Sequence, residues 1–344
     1  MSGPRGLDLD AYRSWYDAQR PGEIAGDLSA EIIAGGKSNL TYTVTDGTSS
    51  WIVRRPPLGH VQATAHDMGR EFTAMSALAG TDVPVPQTFA HCEDPEVVGA
   101  PFYVMERVAG TPYRTAAQLT ELGPERTATV ARAMVDVLAA LHAVVPAEVG
   151  LGEFGRPDGF LERQVRRWGR QLEGSRTRDL PDADELLRIL TETVPTTSDA
   201  AIVHGDYRLD NLLVEPDRTG EEVRAVIDWE MATLGDPLTD VALLLVYDDL
   251  ASISGGGAVA DASAAPGYPS PAEQLEQYAA ASGRDLGAMD FHLGLAHLKL
   301  AVILEGIHYR FLHGQTVGAG FDSVGEAVEP LLAAGLAATH GKAH

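Results

Sequence analysis

Short runs rich in apolar and β-branched residues, bounded by Gly, Pro and Asp-Gly, recur in the first 107 residues of the chain, and the run at 40–45 alternates between apolar and polar residues. Such runs are typical of strands. A Gly-Gly pair and an Asp-Gly pair separate the first runs, as expected of hairpin turns. The pattern predicts, in order, a leading helix at 8–20, strands at 31–34, 40–45 and 51–55, a helix at 68–78, an extended segment from 84 and a strand at 102–106.

The rest of the chain has a helical period, in which apolar residues recur every three or four positions. Two short strand-like runs, at 212–214 and 223–227, interrupt it. The helical segments are 124–143, 158–173, 182–193, 236–250 and 290–313. We therefore predict an α+β protein with two lobes. The first, 1–107, has a small antiparallel sheet plus one helix behind a leading segment at 1–27, and the second, 108–344, is larger and mainly helical.

Charge and cysteine content narrow the choice of partners. The 344 residues include 26 Lys and Arg against 49 Asp and Glu, a net charge of −23. This balance argues against binding to nucleic acids or to anionic membranes, which need clustered cations. Acidity suits a cationic ligand or a metal that bridges an anionic one, although solubility alone also explains it. The single cysteine, Cys92, and the absence of a secretory or membrane-spanning run predict a cytoplasmic protein. The oligomeric state stays open.

A glycine-rich segment at 35–39 invites comparison with phosphate-binding loops. The P-loop pattern requires a glycine where this chain has Glu31, and a strand follows instead of a helix. The segment is better explained as a hairpin whose backbone N–H groups cover phosphates. Gly36 would allow the close approach, and Ser38 and Asn39 could donate hydrogen bonds. An ordinary hairpin turn is the alternative.

Three polar residues beside short strand-like runs carry the strongest chemical signal. Asp206 and Asn211 stand five positions apart, as in the catalytic-loop pattern D-x-x-x-x-N of kinases. Asp228 follows the apolar run that ends at Ile227. Phosphoryl transfer needs a carboxylate that orients the acceptor hydroxyl, and oxygen ligands for Mg²⁺. These residues supply both, with Asp206 as base and Asn211 and Asp228 as metal ligands.

The segments HGDYRLDN, at 204–211, and IDWEMATLGDPLTDVA, at 227–242, resemble the aminoglycoside phosphotransferase family of kinase-like folds. More narrowly, they are similar to the kinase-like domain attached to some acyl-CoA dehydrogenases. The resemblance covers nearly the whole chain. It implies a protein-kinase-like fold with ATP and Mg²⁺ in the cleft between two lobes and a small-molecule hydroxyl as the acceptor.

The resemblance also implies roles for individual residues. Arg208 would screen the transferring phosphate, and Asp240 would hydrogen-bond the catalytic-loop backbone. In the first lobe, Arg54 stands where the family usually has a lysine, on one strand face with Ile52, and Glu71 would pair with Arg54. The segment FYVMERVAG resembles the hinge that holds the nucleotide base, through Met105, Glu106 and Val108.

The acceptor is less clearly indicated. The late helix at 290–313 offers Glu305, Tyr309 and Arg310 as substrate contacts, and a mixed polar helix face explains them equally. The basic segment 163–170 could meet an anionic part of a substrate or could be a solvated face. The resemblance favours a hydroxy acid or hydroxyacyl metabolite. An aminoglycoside or other antibiotic is the alternative substrate, and a nucleotide-binding pseudokinase is the alternative without catalysis.

Overall fold

A computed structural model describes residues 3–33, 39–58, 67–196, 200–216, 221–253, 256–315 and 321–341. Gly36 and Ser38, two of the predicted loop residues, lie outside this part of the chain. The chain divides into two compact units. The first unit comprises Met1–Gly110 and Arg224–Ala232, and the second comprises Thr111–Val223 and Thr233–His344. The predicted lobes, by contrast, placed 224–232 in the second lobe.

The first unit consists of a five-stranded sheet and helices. Its helices are α1 (Leu9–Gln19), α2 (Met68–Leu78) and α3 (Pro95–Val98), and its strands are β1 (Ser29–Ile32), β2 (Leu40–Thr45), β3 (Ser50–Arg55), β4 (Thr88–Cys92) and β5 (Phe102–Glu106). The strands are antiparallel and lie in the order β1-β2-β3-β5-β4. The predicted strands and both predicted helices of this region are confirmed. Strand β1 starts two residues earlier than predicted.

Local sequence explains the start of helix α1 and the turn between β2 and β3. Asp8 caps α1, because its carboxylate accepts hydrogen bonds from the backbone N–H groups of Asp10 and Ala11, each at 3.0 Å. The helix then buries aromatic rings against the sheet, with Tyr16 at 5.8 Å from the Trp51 ring. Asp46 closes the β2–β3 turn by accepting from the backbone of Ser49 at 2.7 Å.

The second unit is mainly helical, as predicted. Its helices are α4 (Ala116–Leu122), α5 (Pro124–Ala143), α6 (Phe160–Ser175), α7 (Pro181–Glu192), α8 (Leu238–Asp249), α9 (Pro271–Ser282), α10 (Met289–Leu312) and α11 (Val328–Thr339), and its strands are β6 (Ala201–Val203), β7 (Leu212–Pro216), β8 (Glu221–Val226) and β9 (Thr233–Gly235). Strand β8 starts in this unit and ends in the first. The α+β class is confirmed.

Two short sheets position the polar motifs of the second unit. Strand β6 pairs with β9, and β7 pairs with β8. The segment between β6 and β7 contains Asp206 and ends in a single 3₁₀ turn, Leu209–Asn211. Helices α8 and α10 are largely apolar, and α8 is buried over most of Leu238–Tyr247 and α10 over most of Met289–Glu305. In the described part of the chain, no helix is both long and apolar enough to cross a membrane.

Candidate active site

In the first unit, the predicted cation Arg54 lies at the centre of a cluster of carboxylates. It comes from β3, and its Nε lies 3.2 Å from Oε2 of Glu71, which α2 contributes. Its Nη2 lies 2.5 Å from Oδ1 of Asp228 and 4.0 Å from Oε2 of Glu230. Arg54 is 8% exposed and Glu71 is fully buried. The predicted pairing of Arg54 with Glu71 is thus present, and Asp228 joins it through a contact with Arg54 that the sequence did not predict.

Two neighbours complete the surroundings of Glu71. The Tyr103 hydroxyl donates to Oε2 of Glu71 at 3.0 Å, and Nδ2 of Asn39 donates to Oε1 at 3.2 Å. Burial raises the pKa of Glu71 to about 7, although the Arg54 guanidinium opposes this rise. Burial alone would lower the pKa of Arg54, but Glu71, Asp228 and Glu230 raise it above its ordinary value. Arg54 therefore stays charged.

The Asn39 side chain faces carboxylates. Its Nδ2 also donates to Oε2 of Glu230 at 3.0 Å, and the residue is 4% exposed. Since both contacts are acceptors, the amide nitrogen must point toward them. The side-chain amide nitrogen of Asn39 already donates to two carboxylates, so the predicted hydrogen bond to a phosphate would come from the backbone N–H of Asn39.

Asp228 has an unusual backbone. Its φ of 68° makes it the single non-glycine residue with positive φ in the described part of the chain. Aspartate tolerates this left-handed conformation better than most residues, but it still costs about 1 kcal/mol or more. The conformation turns the chain immediately after β8. Such local strain is typical of functional positions, which agrees with the role predicted for Asp228.

Two of the residues predicted to contact the nucleotide base are paired across neighbouring strands of the sheet. Ile52 on β3 pairs with Met105 on β5, and both are buried. The Glu106 backbone N–H donates to the Gln87 carbonyl at 2.8 Å, so it is committed to the sheet. Val108 lies just beyond the end of β5. The predicted contacts of these residues with a nucleotide base stay predictions.

In the second unit, Asp206 is held by two side chains. The Tyr247 hydroxyl, on α8, donates to Oδ1 of Asp206 at 2.9 Å. Nδ2 of Asn211 donates to the Asp206 carbonyl at 2.9 Å and to Oδ2 at 3.2 Å. Burial raises the pKa of Asp206, whereas Arg208 and Lys299 counteract it. Because the Asn211 nitrogen faces Asp206, its amide oxygen is turned the other way, where it could bind a metal.

Asp240 holds the backbone that leads to Asp206. Its carboxylate accepts from the N–H groups of His204 at 2.6 Å and Gly205 at 2.8 Å. His142 lies 3.4 Å from the same carboxylate. Although burial acts to raise the pKa of Asp240, its hydrogen bond to His142 and its backbone bonds lower it. The structural role predicted for Asp240 is confirmed.

Arg208 makes local contacts. Its guanidinium hydrogen-bonds both carboxylate oxygens of Asp210 and lies 4.5 Å above the Tyr247 ring. Arg208 therefore shares Tyr247 with Asp206, while its own charge is partly compensated by Asp210. No contact here tests its predicted role at the phosphate.

The predicted substrate residues of α10 differ in their surroundings. Glu305 is fully buried, and its carboxylate accepts from the Thr177 backbone at 2.8 Å and from Arg178 at 2.9 Å. These donors lower its pKa against the effect of burial. Glu305 thus anchors the segment before α7, and we leave it out of the substrate site. Tyr309 stacks on His313 at 4.1 Å, and Arg310 is exposed.

Sequence reasoning missed Tyr103, Glu230, Tyr247 and Lys299. Two signals could have found three of these four residues. Tyr103 stands opposite Arg54 in the β3–β5 register, where cross-strand side chains meet. Tyr247 and Lys299 are polar-ended residues on largely apolar helices, where a buried polar group needs a partner.

Comparison with known proteins decides the family. Residues 29–292 match the model of the phosphotransferase enzyme family, APH. The chain belongs to the APH phosphotransferase family. The family and the enzyme class predicted from the sequence are confirmed.

Relatives of this APH phosphotransferase include acyl-CoA dehydrogenase family member 11 of Gallus gallus, 33% identical over 322 residues. Family member 10 of Mus musculus is 34% identical over 300 residues. These alignments cover 92% and 86% of the chain but 41% and 28% of the relatives. The chain therefore spans less than half the length of these relatives.

Solved structures confirm the kinase-like fold. A Ralstonia eutropha protein assigned as an aminoglycoside phosphotransferase has a TM-score of 0.84 and 32% identity, covering 97% of this chain and 98% of that one. A choline kinase from Cryptosporidium parvum has a TM-score of 0.62 and 14% identity, covering 97% and 96%. The second likeness concerns the fold alone.

Proposed function

We propose that this protein transfers a phosphoryl group from ATP to a hydroxyl group of a small molecule, a hydroxy acid or hydroxyacyl metabolite. The observation that supports this most directly is the setting of Asp206. It is oriented by Tyr247 and Asn211 and remains partly accessible. A carboxylate fixed in this way can accept the proton of an acceptor hydroxyl while the hydroxyl oxygen attacks.

Asn211 and Asp228 would each supply an oxygen ligand to magnesium. The orientation of the Asn211 amide fits this role, as does the short, hard oxygen of Asp228. When bound, magnesium neutralises charge on the transferring phosphate. Arg54 also compensates the charge of the Asp228 carboxylate, with its Nη2 2.5 Å from Oδ1.

Arg54, held by Glu71, would bind the phosphates of the nucleotide. Guanidinium binds phosphate through two parallel hydrogen bonds and keeps its charge when buried, so it can replace the expected lysine. The loop at 35–39, with Gly36, Ser38 and the Asn39 backbone, would cover the phosphates. The base would contact Ile52, Met105, Glu106 and Val108. Complexes of aminoglycoside 2'-phosphotransferase-IIIa with GDP support nucleotide binding by this fold.

An anionic acceptor is favoured by cations near Asp206. Arg208 and Lys299 both oppose the rise in its pKa. On α6, Arg167 lies 5.2 Å above the ring of Trp168, and Lys299 lies 5.8 Å from the same ring. The names of the curated relatives, acyl-CoA dehydrogenases, favour an acyl metabolite as well. Tyr309 and Arg310 are further candidates for acceptor contacts.

An aminoglycoside is the second candidate acceptor. The net charge of −23 suits a polycation, and an aminoglycoside phosphotransferase of this fold has been solved with kanamycin. A pseudokinase that binds nucleotide without transfer is a third possibility, which the replacement of lysine by Arg54 favours.

Phosphorus NMR of reactions containing ATP, Mg²⁺ and either a hydroxy acid, a hydroxyacyl-CoA or kanamycin distinguishes these functions. We expect a new phosphate ester with one of the first two. Asp206→Asn should lower the rate by about 100- to 10,000-fold, because the base is lost. Asp179→Asn, at an exposed position of the same unit, is the matched control. Transfer to kanamycin alone would replace the hydroxy-acid proposal, and nucleotide binding without any transfer would favour the pseudokinase.

A further inference from the structure

Two side chains of opposite charge, one from each of two helices, hydrogen-bond the backbone of Gly205, the residue before Asp206. Gly205 has a φ of 81°, in the left-handed region that glycine adopts readily. Its N–H donates to Asp240 of α8 at 2.8 Å. Its carbonyl accepts from Nζ of Lys299, on α10, at 2.7 Å. Both backbone hydrogen-bonding groups of Gly205 therefore end on charged side chains.

Lys299 is an unusual choice in this chain. Of the 26 basic residues, three are lysines, Lys37, Lys299 and Lys342. Burial lowers the pKa of Lys299, while the carboxylates of Asp206 and Asp240 counteract this and Arg167 adds to it. Within the described residues its ammonium group forms no ion pair, and the Gly205 carbonyl is the hydrogen-bond acceptor found for it. A half-buried cation whose hydrogen-bond acceptor is one backbone carbonyl suggests that the position of that carbonyl matters.

The shape of the side chain supports this interpretation. An ammonium group is compact and can approach one carbonyl end-on, whereas guanidinium is a planar fork suited to two parallel acceptors. The Trp168 ring, 5.8 Å from Nζ, gives the ammonium a favourable aromatic neighbour. Lys299 is thus directed at Gly205 from a rigid helix.

We propose that Lys299 is a positioning residue for phosphoryl transfer, which acts with Asp240 to clamp the Gly205 backbone and thereby aims Asp206. This rests on the proposed function insofar as Asp206 is the base. Displacing a reacting group by about 1 Å can cost about 100-fold in rate. The clamp limits such displacement, because rotation of the Gly205 peptide units would break a charge-assisted hydrogen bond on either side.

The test compares Lys299→Met and Lys299→Arg with Arg178→Met. Arg178 is a matched control, since it also donates to a glycine carbonyl at 2.7 Å, that of Gly325. It donates to Glu305 as well, and among the described residues it has no hydrogen bond or ion pair with 204–211. We would measure kcat, KM for ATP, the melting temperature and hydrogen exchange of the Gly205 amide. Hydrogen exchange needs no turnover, so it tests the clamp independently of the proposed function.

Lys299→Met is expected to lower kcat by about 10- to 100-fold with KM for ATP unchanged, and to speed exchange at Gly205. Lys299→Arg should fall between Lys299→Met and the wild type. Arg178→Met should lower the melting temperature without either effect. The proposal is overturned if kcat and Gly205 exchange respond to Lys299→Met no more than to Arg178→Met. If the wild type shows no turnover, the proposed function fails, and the exchange of Gly205 alone decides the clamp.

Discussion

At the scale of single residues, the cluster around Arg54 shows how one substitution is accommodated. A guanidinium replaces the lysine that the family pattern leads one to expect. It reaches carboxylates in two directions, Glu71 at 3.2 Å and Asp228 at 2.5 Å. A planar, multidentate cation suits this arrangement better than a point charge. The carboxylates around Arg54 therefore contact different nitrogens of its guanidinium group, which the single ammonium group of a lysine does not offer.

Removal of this cation should destabilise the protein. Arg54→Met leaves the fully buried Glu71 without its counterion, and we expect the free energy of unfolding to fall by about 3 kcal/mol. The double variant Arg54→Met/Glu71→Gln removes both charges and should recover part of the loss. Chemical denaturation at pH 8 measures both. Equal losses in the single and double variants would contradict this explanation, because removing the unpaired Glu71 charge would then bring no recovery.

At the scale of elements, helix α8 carries three functional contacts on an otherwise apolar rod. Asp240 near its start holds the backbone of His204 and Gly205, and Tyr247 near its end holds the Asp206 side chain. The next residue, Asp248, accepts from Tyr268 at 3.0 Å and from Gln274, on α9, at 2.9 Å. Because the helix is rigid, these contacts are fixed relative to one another.

Asp248 should make stability depend on pH. Burial raises its pKa from 3.8 to about 7. Its protonated form is therefore favoured in the folded state, so the contribution of Asp248 to stability is fully present below pH 4 and is lost as the pH rises through 7. Asp248→Asn should raise the free energy of unfolding at pH 8 by about 1 to 3 kcal/mol.

The gain should shrink toward pH 5, where more of the wild-type carboxyl is protonated. Gln274 can turn its amide to accept from the new asparagine, since its Oε1 is buried without a partner in the described structure. Denaturation curves at pH 5 and pH 8 provide the measurement. A gain of the same size at both pH values would indicate an effect of packing instead of charge.

At the scale of the whole molecule, the residues proposed to take part in phosphoryl transfer are divided between the two compact units. Arg54, Glu71 and Asp228 belong to the first, and Asp206 and Asn211 to the second. A ligand that contacts either set stabilises the folded protein by mass action. The chain also spans less than half the length of these relatives. Any substrate of those longer proteins is therefore a proposal for this chain.

Magnesium should strengthen the effect of ATP on thermal stability. We expect ATP with Mg²⁺ to raise the melting temperature more than ATP alone, and a ligand at 100 times its Kd adds about 2.7 kcal/mol. Asp228→Asn should remove the magnesium-dependent part, because one oxygen ligand loses its charge. Asp179→Asn should keep it. No difference between ATP and Mg-ATP in the wild type would contradict the metal role of Asp228.

Local signals were sufficient for much of this protein. Short apolar and β-branched runs between Gly and Asp-Gly turns predicted the sheet, because strand preference and turn chemistry depend on neighbouring residues. The spacing of Asp206, Asn211 and Asp228 predicted phosphoryl-transfer chemistry. The shortest strands, β6 and β9, were not predicted, since three residues carry too little periodicity to be read.

Tertiary structure decided which polar residues lie together. The sequence placed Glu305 among substrate residues, and only packing shows its carboxylate bound to Thr177 and Arg178. It gave no reason to connect Lys299 with Gly205, 94 residues away. Hydrogen bonds between distant segments depend on how helices pack, and packing is set by the whole core. Phosphoryl-transfer chemistry could thus be predicted from the local spacing of residues, whereas the contacts that hold the Asp206 side chain depend on the fold.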